Sequence, residues 1–153
     1  MAQVGTRAPD FTLRDQNNQK VTLADYVGRK HVLLVFYPLA FTGICQSELA
    51  EIKENLPLYQ IDDVAVLTIS VDSVYSHKVW ADREGFEFPL LADFWPHGGV
   101  AKAFGVFNEG KGTAFRGTFV IDKTGLIRYA ELSESGQARD QGAWRKVLET
   151  LVG

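Results

Sequence analysis

A single cysteine, Cys45, follows Thr42 by three positions at the end of the segment 38–45. An apolar segment, residues 31–37, leads into this region, and an amphipathic one, residues 44–56, leads out of it. A strand that turns sharply into a helix would therefore place Cys45 in the first turn of that helix. The unpaired N–H groups and the positive dipole end of a helix N-terminus favour a thiolate over a thiol. Because the thiolate is the nucleophilic and redox-active form, the sequence indicates thiol chemistry.

The residues around Cys45 have types that suit such a site. Thr42 is a good N-cap candidate, and its hydroxyl would be able to hydrogen-bond to the thiolate or to a bound oxygen. Cys45 then takes the helical position at which a capping box carries Glu or Gln. The backbone N–H groups of Ile44 and Cys45 would lie close to the sulfur. Pro38 constrains the preceding turn and would shield the sulfur from water.

Each of these residues also has a purely structural interpretation. Cys45 is in helical register with Leu49, Ile52 and Leu56, so it would serve equally well as a small hydrophobic residue of the core. Thr42 would then be only a helix cap, and Pro38 only the residue that ends a strand. Residue types alone leave both interpretations open.

The elements that must position Cys45 follow from hydrophobic periodicity and turn residues. Strands alternate with helices in the middle of the chain, which favours a mainly parallel centre, while hairpins at either side add antiparallel strands. We predict strands at 11–13, 20–23, 31–37, 64–71, 88–92, 118–121 and 126–130, and helices at 44–56, 76–84, 100–104 and 141–151. The result is an α/β protein with a mixed central sheet, helices on both faces and an N-terminal hairpin. A thioredoxin-like fold satisfies this order.

Composition limits the classes of protein to consider. A chain of 153 residues with 46% hydrophobic and 23% charged residues predicts one globular domain spanning 1–153. A net charge of −3 does not favour nucleic acid or an anionic membrane as a partner. No apolar run approaches the roughly 20 residues of a membrane span, and residues 1–10 lack the features of a signal peptide. We therefore expect a cytoplasmic protein without an internal disulfide.

The sequence offers no pattern for a metal or a nucleotide. The three histidines, His31, His77 and His97, are scattered, and neither a G-x-G-x-x-G nor a P-loop pattern is present. We expect no metal and no cofactor. A catalytic Cys–His pair formed in space stays open at this stage; His97 would be the histidine to inspect, although a surface loop is its more ordinary location.

Pro38, Thr42 and Cys45 match the P-x-x-x-T-x-x-C signature of the peroxiredoxins, the AhpC/TSA-like thiol peroxidases. Residues 8–11 resemble the opening of that family, and residues 116–122 resemble one of its strands. Residues 36–45, 93–98 and 105–108 are most similar to the one-cysteine AhpE-type subgroup of actinobacteria. The resemblance extends over most of the chain.

This resemblance implies that Cys45 is the peroxidatic nucleophile of an enzyme that reduces hydrogen peroxide and organic hydroperoxides. Its thiolate would become a sulfenic acid, while Thr42, Arg116 and the Cys45 N–H stabilise the transition state. The resemblance further implies that Glu48 hydrogen-bonds Arg116. The structural alternatives are a surface ion pair for Arg116 and a solvated helix carboxylate for Glu48. Pro38 and Ile44 complete the predicted site.

The absence of a second cysteine sets the remaining expectations. Ala50 occupies the position at which one peroxiredoxin class carries a resolving cysteine, so the reductant must come from outside the chain. The resemblance implies a low-molecular-weight thiol such as mycothiol, or a thioredoxin- or glutaredoxin-like protein. It also implies a homodimer, with Phe41 and Trp80 expected at the contact. Residues 95–98 would frame either the pocket or a subunit contact, as would the aromatic side chains of Phe41, Trp80 and Phe94.

Two other functions use the same features. A monothiol thiol–disulfide oxidoreductase would share the fold, although its usual C-x-x-C motif is missing because Ser47 and Glu48 follow Cys45. A non-catalytic redox sensor would also carry an oxidisable Cys45. Turnover separates these hypotheses, because a sensor is oxidised once and a peroxidase cycles with a reductant.

Overall fold

The computed structural model describes residues 1–59, 63–133 and 139–152. The strands are β1 (Thr12–Arg14), β2 (Lys20–Thr22), β3 (His31–Phe36), β4 (Val64–Ser70), β5 (Leu90–Ala92), β6 (Phe107–Asn108), β7 (Thr113–Ala114), β8 (Arg116–Ile121) and β9 (Ile127–Ser133). The helices are α1 (Gly43–Glu54), α2 (Leu56–Tyr59), α3 (Val74–Glu84), α4 (Gly99–Ala103) and α5 (Gln141–Val152), with a 3-10 helix at Leu23–Tyr26.

Seven of these strands form one mixed sheet in the order β2-β1-β5-β4-β3-β8-β9. The central strands β3, β4 and β5 run parallel, whereas β8 runs antiparallel to β3, with Val35 opposite Thr118. The first residues of β8 therefore lie beside the last residues of β3. This register brings Arg116 beside the turn that leads from β3 into α1.

The core lies on both faces of the sheet because β3 is buried throughout. Leu33, Val35 and Tyr37 point to the face covered by α1, α3 and α5. Val32, Leu34 and Phe36 point to the opposite face, where α4 and the 3-10 helix pack. This period of two is the side-chain alternation of a strand, and a strand covered on both sides reads as a continuous apolar run.

The predicted mixed sheet, its two covered faces and the N-terminal hairpin are all present. Most boundaries shift by one to three residues: β8 begins at Arg116 rather than 118, β9 ends at Ser133 rather than 130, and α1 ends at Glu54 rather than 56. Three further differences have a local physical reason. Helix α3 begins at Val74 rather than 76, because the Ser73 side chain accepts a hydrogen bond from the Ser76 N–H and caps the helix. Strand β5 begins at Leu90 rather than 88, directly after Pro89, which has no N–H to donate.

The third difference is that α2, β6, β7 and the 3-10 helix were not predicted, since two to four residues are too few to show a period. None of the described helices combines the length and the apolar character that crossing a bilayer requires.

Candidate active site

Helix α1 places Cys45 in its first turn, as the sequence predicts. The helix begins at Gly43, Thr42 occupies the N-cap position, and the Thr42 carbonyl accepts the Gln46 N–H at 2.8 Å. The Cys45 side chain is fully buried beneath this turn. Its sulfur therefore has the first N–H groups of the helix on one side and the apolar core on the other.

Arg116 supplies the charged partner of this sulfur. Its Nη2 donates a hydrogen bond to Cys45 Sγ at 3.3 Å, and its side chain is almost completely buried. A buried guanidinium stays protonated and stabilises the thiolate form of the cysteine. The surface ion pair considered for Arg116 is therefore wrong.

Glu48 lies one turn after Cys45 on α1 and is also buried, so the solvated carboxylate considered for it is wrong as well. Its Oε1 accepts a short hydrogen bond from Arg116 Nη1. Its Oε2 accepts the backbone N–H of Arg139 at 3.1 Å and the Arg139 Nε–H at 3.0 Å. One carboxylate thus orients two guanidinium groups and balances the charge of one of them.

Arg139 is the residue of this site that the sequence analysis missed. Its Nη1 donates to the Gly117 carbonyl at 3.2 Å and to Thr118 Oγ1 at 3.1 Å, and its Nη2 donates to the Phe36 carbonyl. Burial lowers the pKa of Arg139 to about 10, and Glu48 opposes that shift, so the group is still charged at neutral pH. Arg139 ties the ends of β3 and β8 to α1.

The hydroxyl of Thr42 is used differently from the prediction. It donates to the Leu39 carbonyl at 2.8 Å, and it makes no capping bond to the described helix. The reason is local: the turn folds back and brings that carbonyl within reach of the hydroxyl proton. Thr42 thus takes the predicted N-cap position, while the proton of its hydroxyl is used within the turn.

A cavity of about 650 Å³ opens beside the buried sulfur. Pro38, Thr42, Ile44 and Arg116 all contribute to its wall, so the structure brings these four predicted residues together. The wall also includes the apolar side chains of Phe115 and Leu132 and the charged side chain of Lys111. Glu48 does not line the cavity and acts from behind Arg116.

Neither His97 nor His77 forms a hydrogen bond with the Cys45 sulfur among the described contacts. His97 is exposed, with its Nε2 2.6 Å from the Gly112 carbonyl, and His77 is buried against Ser70 and Tyr37. Across residues 1–59, 63–133 and 139–152, no cluster of three acidic, histidine or cysteine side chains is placed to hold a metal ion.

Trp80 corrects an expectation about the surface. It was expected at a subunit contact, but it is fully buried and packs below Phe41, with their ring centroids 5.8 Å apart. It also packs against Tyr37 and Phe86. Only Phe41 of that pair remains available to a partner, because the core encloses the indole.

Comparisons with known proteins agree with this geometry. The model of the AhpC/TSA family matches residues 4–130. Alkyl hydroperoxide reductase E of Mycobacterium tuberculosis is 58% identical over 152 residues, which is 99% of both chains. The chloroplastic 2-Cys peroxiredoxin BAS1 of Spinacia oleracea is 37% identical, over 97% of this chain and 59% of that protein.

Solved structures give the same result at the level of the fold. The AhpC of Enterococcus faecalis superposes with a TM-score of 0.87 at 31% identity, over 98% of this chain and 93% of that one. The reduced 2-Cys peroxiredoxin of Plasmodium vivax also superposes with a TM-score of 0.87, at 27% identity over 97% of this chain and 81% of that one.

Proposed function

Because the chain belongs to the AhpC/TSA family of peroxiredoxins, we propose that Cys45 is the nucleophile of its peroxidase reaction. Its fold is the thioredoxin-like fold of that family, and its activity is that of a thiol peroxidase. The observation that carries the assignment of Cys45 is the Arg116 Nη2–Sγ hydrogen bond of 3.3 Å on a buried sulfur. We also propose that residues 1–153 form one domain, since the seven-stranded sheet includes both the first strand, β1, and the last, β9.

The reaction begins with attack of the Cys45 thiolate on one oxygen of a hydroperoxide. An S–O bond forms as the O–O bond breaks, sulfur is oxidised to a sulfenic acid, and the departing oxygen takes a proton and leaves as water or an alcohol. Negative charge moves from sulfur to the departing oxygen. Arg116 is placed to stabilise that charge throughout, since its donors are fixed by Glu48.

The residues of the cavity wall have supporting roles. The Thr42 hydroxyl donates a hydrogen bond to the Leu39 carbonyl, which leaves the lone pairs of its oxygen free to accept a hydrogen bond from the O–H of a bound hydroperoxide. Pro38 shields the sulfur side of the cavity from water, and the Ile44 N–H belongs to the helix terminus that faces it. These donors and acceptors orient the O–O bond toward Cys45.

The cavity supports organic hydroperoxides as substrates in addition to hydrogen peroxide. A volume of about 650 Å³ far exceeds what hydrogen peroxide requires. Ile44, Phe115 and Leu132 offer an apolar surface to an organic substituent. Hydrogen peroxide would need only the part of the cavity beside Arg116.

Recycling of the enzyme requires a thiol from outside the chain, because Cys45 is the only cysteine. An external thiolate would attack the sulfenic sulfur, release water and form a mixed disulfide, which a second thiol would then reduce. We propose a low-molecular-weight thiol such as mycothiol, or a thioredoxin- or glutaredoxin-like protein, as this reductant. Such thiols are kept reduced in the cytoplasm, which is the compartment we propose.

A surface next to the active-site turn supports the proposed homodimer. Tyr75 and Trp95 are each 81% exposed, and Val79 follows Tyr75 by one turn of α3. Phe41 extends this surface, with the Arg83 guanidinium 5.7 Å above its ring. Exposed aromatic side chains on one face are typical of an interface.

The dimer is tested by sedimentation of Val79→Glu, for which we expect a monomer because a carboxylate would enter the apolar contact. Leu58→Glu is the matched control, since Leu58 is similarly exposed but lies on α2. A dimeric Val79→Glu protein would overturn the proposed surface.

The peroxidase site is tested by stopped-flow tryptophan fluorescence of the reduced protein mixed with hydrogen peroxide. Trp80 contacts Phe41 in the active-site turn and is the expected reporter. We expect oxidation at least about a thousandfold faster than that of a free cysteine thiolate, and its loss in Cys45→Ser. A rate near that of the free thiolate would overturn the assignment. Oxidation without turnover in excess external thiol would indicate a sensor.

A further inference from the structure

The turn between β3 and α1, residues 38–42, adopts a conformation that needs outside support. Phe41 lies in the left-handed region with a φ of 66°, which a residue with a side chain rarely adopts. Such a conformation persists where the surroundings enforce it. The Thr42–Leu39 hydrogen bond acts within the turn, whereas the Ala40 N–H leaves it and donates to Asp72 Oδ2 at 2.8 Å.

Asp72 is itself held by a chain of hydrogen bonds. Ser70, at the end of β4, donates its hydroxyl proton to the same Asp72 oxygen at 2.6 Å. The Ser70 oxygen lies 2.7 Å from Nε2 of His77 on α3. Because a carboxylate only accepts, the single Ser70 proton is committed to Asp72, and we assign His77 Nε2 as the donor to Ser70.

His77 anchors the far end of this chain. It is fully buried, and the Tyr37 hydroxyl lies 3.2 Å from the same Nε2. Burial lowers the pKa of His77 to about 4, against the influences of Asp72 and of a hydrogen bond to the Leu90 backbone, so the ring is neutral at neutral pH and has one N–H to donate. The chain of bonds therefore joins α3 and β4 to the turn in a fixed direction.

We infer that Asp72 is a positioning residue of the active site, which holds the turn through the Ala40 N–H and so sets Cys45 against Arg116. The inference rests on the proposed role of Cys45 as the nucleophile. Asp72 touches neither the sulfur nor the cavity wall and acts only through the backbone of the turn. Ser70 and His77 orient the carboxylate for this purpose.

The sign of the charge makes the inference testable. Asp72 is negative, so its removal by itself would favour the Cys45 thiolate and would speed oxidation below the midpoint of thiol ionisation. A positioning role predicts slower oxidation at pH values where the thiolate is fully formed. At such pH values we expect Asp72→Ala to lower the pH-independent rate of oxidation by hydrogen peroxide by at least about tenfold.

Matched variants separate positioning from stability. Asp72→Asn keeps an oxygen that can accept the Ala40 N–H, and His77→Gln keeps a donor for Ser70, so both should retain a rate within about threefold of wild type. His77→Leu lacks the donor and should be slowed like Asp72→Ala. Ser73→Ala removes the neighbouring cap of α3 and leaves the hydrogen-bond chain intact, so it should lose stability without losing the rate.

The rate is measured by stopped-flow fluorescence across pH, and thiol ionisation by the ultraviolet absorbance of the thiolate. The inference would be overturned if Asp72→Ala kept the wild-type pH-independent rate of oxidation, or if Ser73→Ala lowered that rate as much as Asp72→Ala does. If Asp72→Ala does not fold, Ser70→Ala and His77→Leu apply the same test to other links of the chain. A slow wild-type reaction would instead overturn the proposed function, and it would be seen before any variant is compared.

Discussion

Glu48 accepts hydrogen bonds from Arg116 and Arg139, and its charge and its geometry act on Cys45 in opposite directions. Its negative charge works against the thiolate, while its hydrogen bond holds the Arg116 guanidinium in place for the sulfur. We expect Glu48→Gln to shift thiolate formation to lower pH and yet to slow oxidation about tenfold. Thiolate absorbance and stopped-flow oxidation measure the two effects separately.

Arg116→Ala is the control for that variant, because it removes the positive charge itself. Thiolate formation should then move to higher pH, and oxidation should again be slower. If Glu48→Gln also moved thiolate formation to higher pH, the carboxylate would act by a route other than its charge and its hold on Arg116.

Arg139 should contribute more to stability than to chemistry, because its side chain is completely buried and makes no bond to the sulfur. Its removal breaks a buried ion pair with Glu48 and leaves the buried carbonyls of Phe36 and Gly117 without the hydrogen bonds that it donates, a loss of about 3–5 kcal/mol. We expect a loss of that size in the free energy of unfolding of Arg139→Met, measured by urea denaturation.

Arg128→Met is the matched control. Arg128 pairs with Asp122 at 3.1 Å, but its side chain is 50% exposed, and such pairs contribute about 1 kcal/mol or less. Equal losses in the two variants would show that burial of Arg139 does not set its contribution.

At this scale the sequence predicted much of the candidate site. The apolar segment before Cys45 and the amphipathic segment after it indicated the helix N-terminus. The family resemblance indicated Arg116 and its hydrogen bond to Glu48. Arg139 was not predictable, because its partner Glu48 is 91 positions away and no periodic pattern connects the two. The hydrogen bond of Thr42 was not predictable either, since it depends on how the turn folds back.

Strand β8 positions Arg116, and Gly117 allows that strand to approach its neighbours closely. A Cβ at Gly117 would lie 2.9 Å from Cγ1 of Val106, which is too short for two carbon atoms. We expect Gly117→Ala to lower the free energy of unfolding by about 1–3 kcal/mol, because overpacking displaces the strand. Oxidation of Cys45 should slow as well, since Arg116 is the adjacent residue.

A double-mutant cycle checks this contact. Val106→Ala removes the methyl group that the new Cβ would meet, so the double variant should recover most of the stability that Gly117→Ala loses. Additive losses in the two single variants would show that the contact with Val106 is not the cause.

At the scale of elements, long periodic segments were predictable and short ones were not. The apolar segment 31–37 gave β3 nearly residue for residue, because burial on both faces leaves a continuous hydrophobic run. Strands β6 and β7 pair in a separate two-stranded sheet. Each has two residues, which is too short to show the alternation of apolar and polar residues that predicts a strand. The start of α3 depended on recognising Ser73 as its cap.

Stability of the whole molecule should depend on pH through His77. The unfolded chain protonates this histidine near its ordinary pKa of 6.5, whereas burial lowers the pKa to about 4 in the folded protein. The unfolded state therefore binds more protons between these values. The resulting contribution of about 3 kcal/mol is present above pH 6.5 and is lost as the pH falls towards 4.

Urea denaturation of the wild type and of His77→Gln at a series of pH values measures this contribution. The glutamine has no proton to gain, so the stability of the variant should fall less steeply on acidification. A variant with the wild-type slope would place the titrating group elsewhere.

The sharing of Glu48 between Arg116 and Arg139 has a consequence for evolution. The two guanidinium groups balance the Glu48 carboxylate and the Cys45 thiolate, so a mutation that neutralises any one of the three residues leaves the buried cluster with a net charge. A single substitution at these positions would therefore give a poorly folded or slow protein. Lineages should therefore exchange these residues together or keep them unchanged. Covariation among positions 48, 116 and 139 in a large alignment of relatives would be the trace of that constraint.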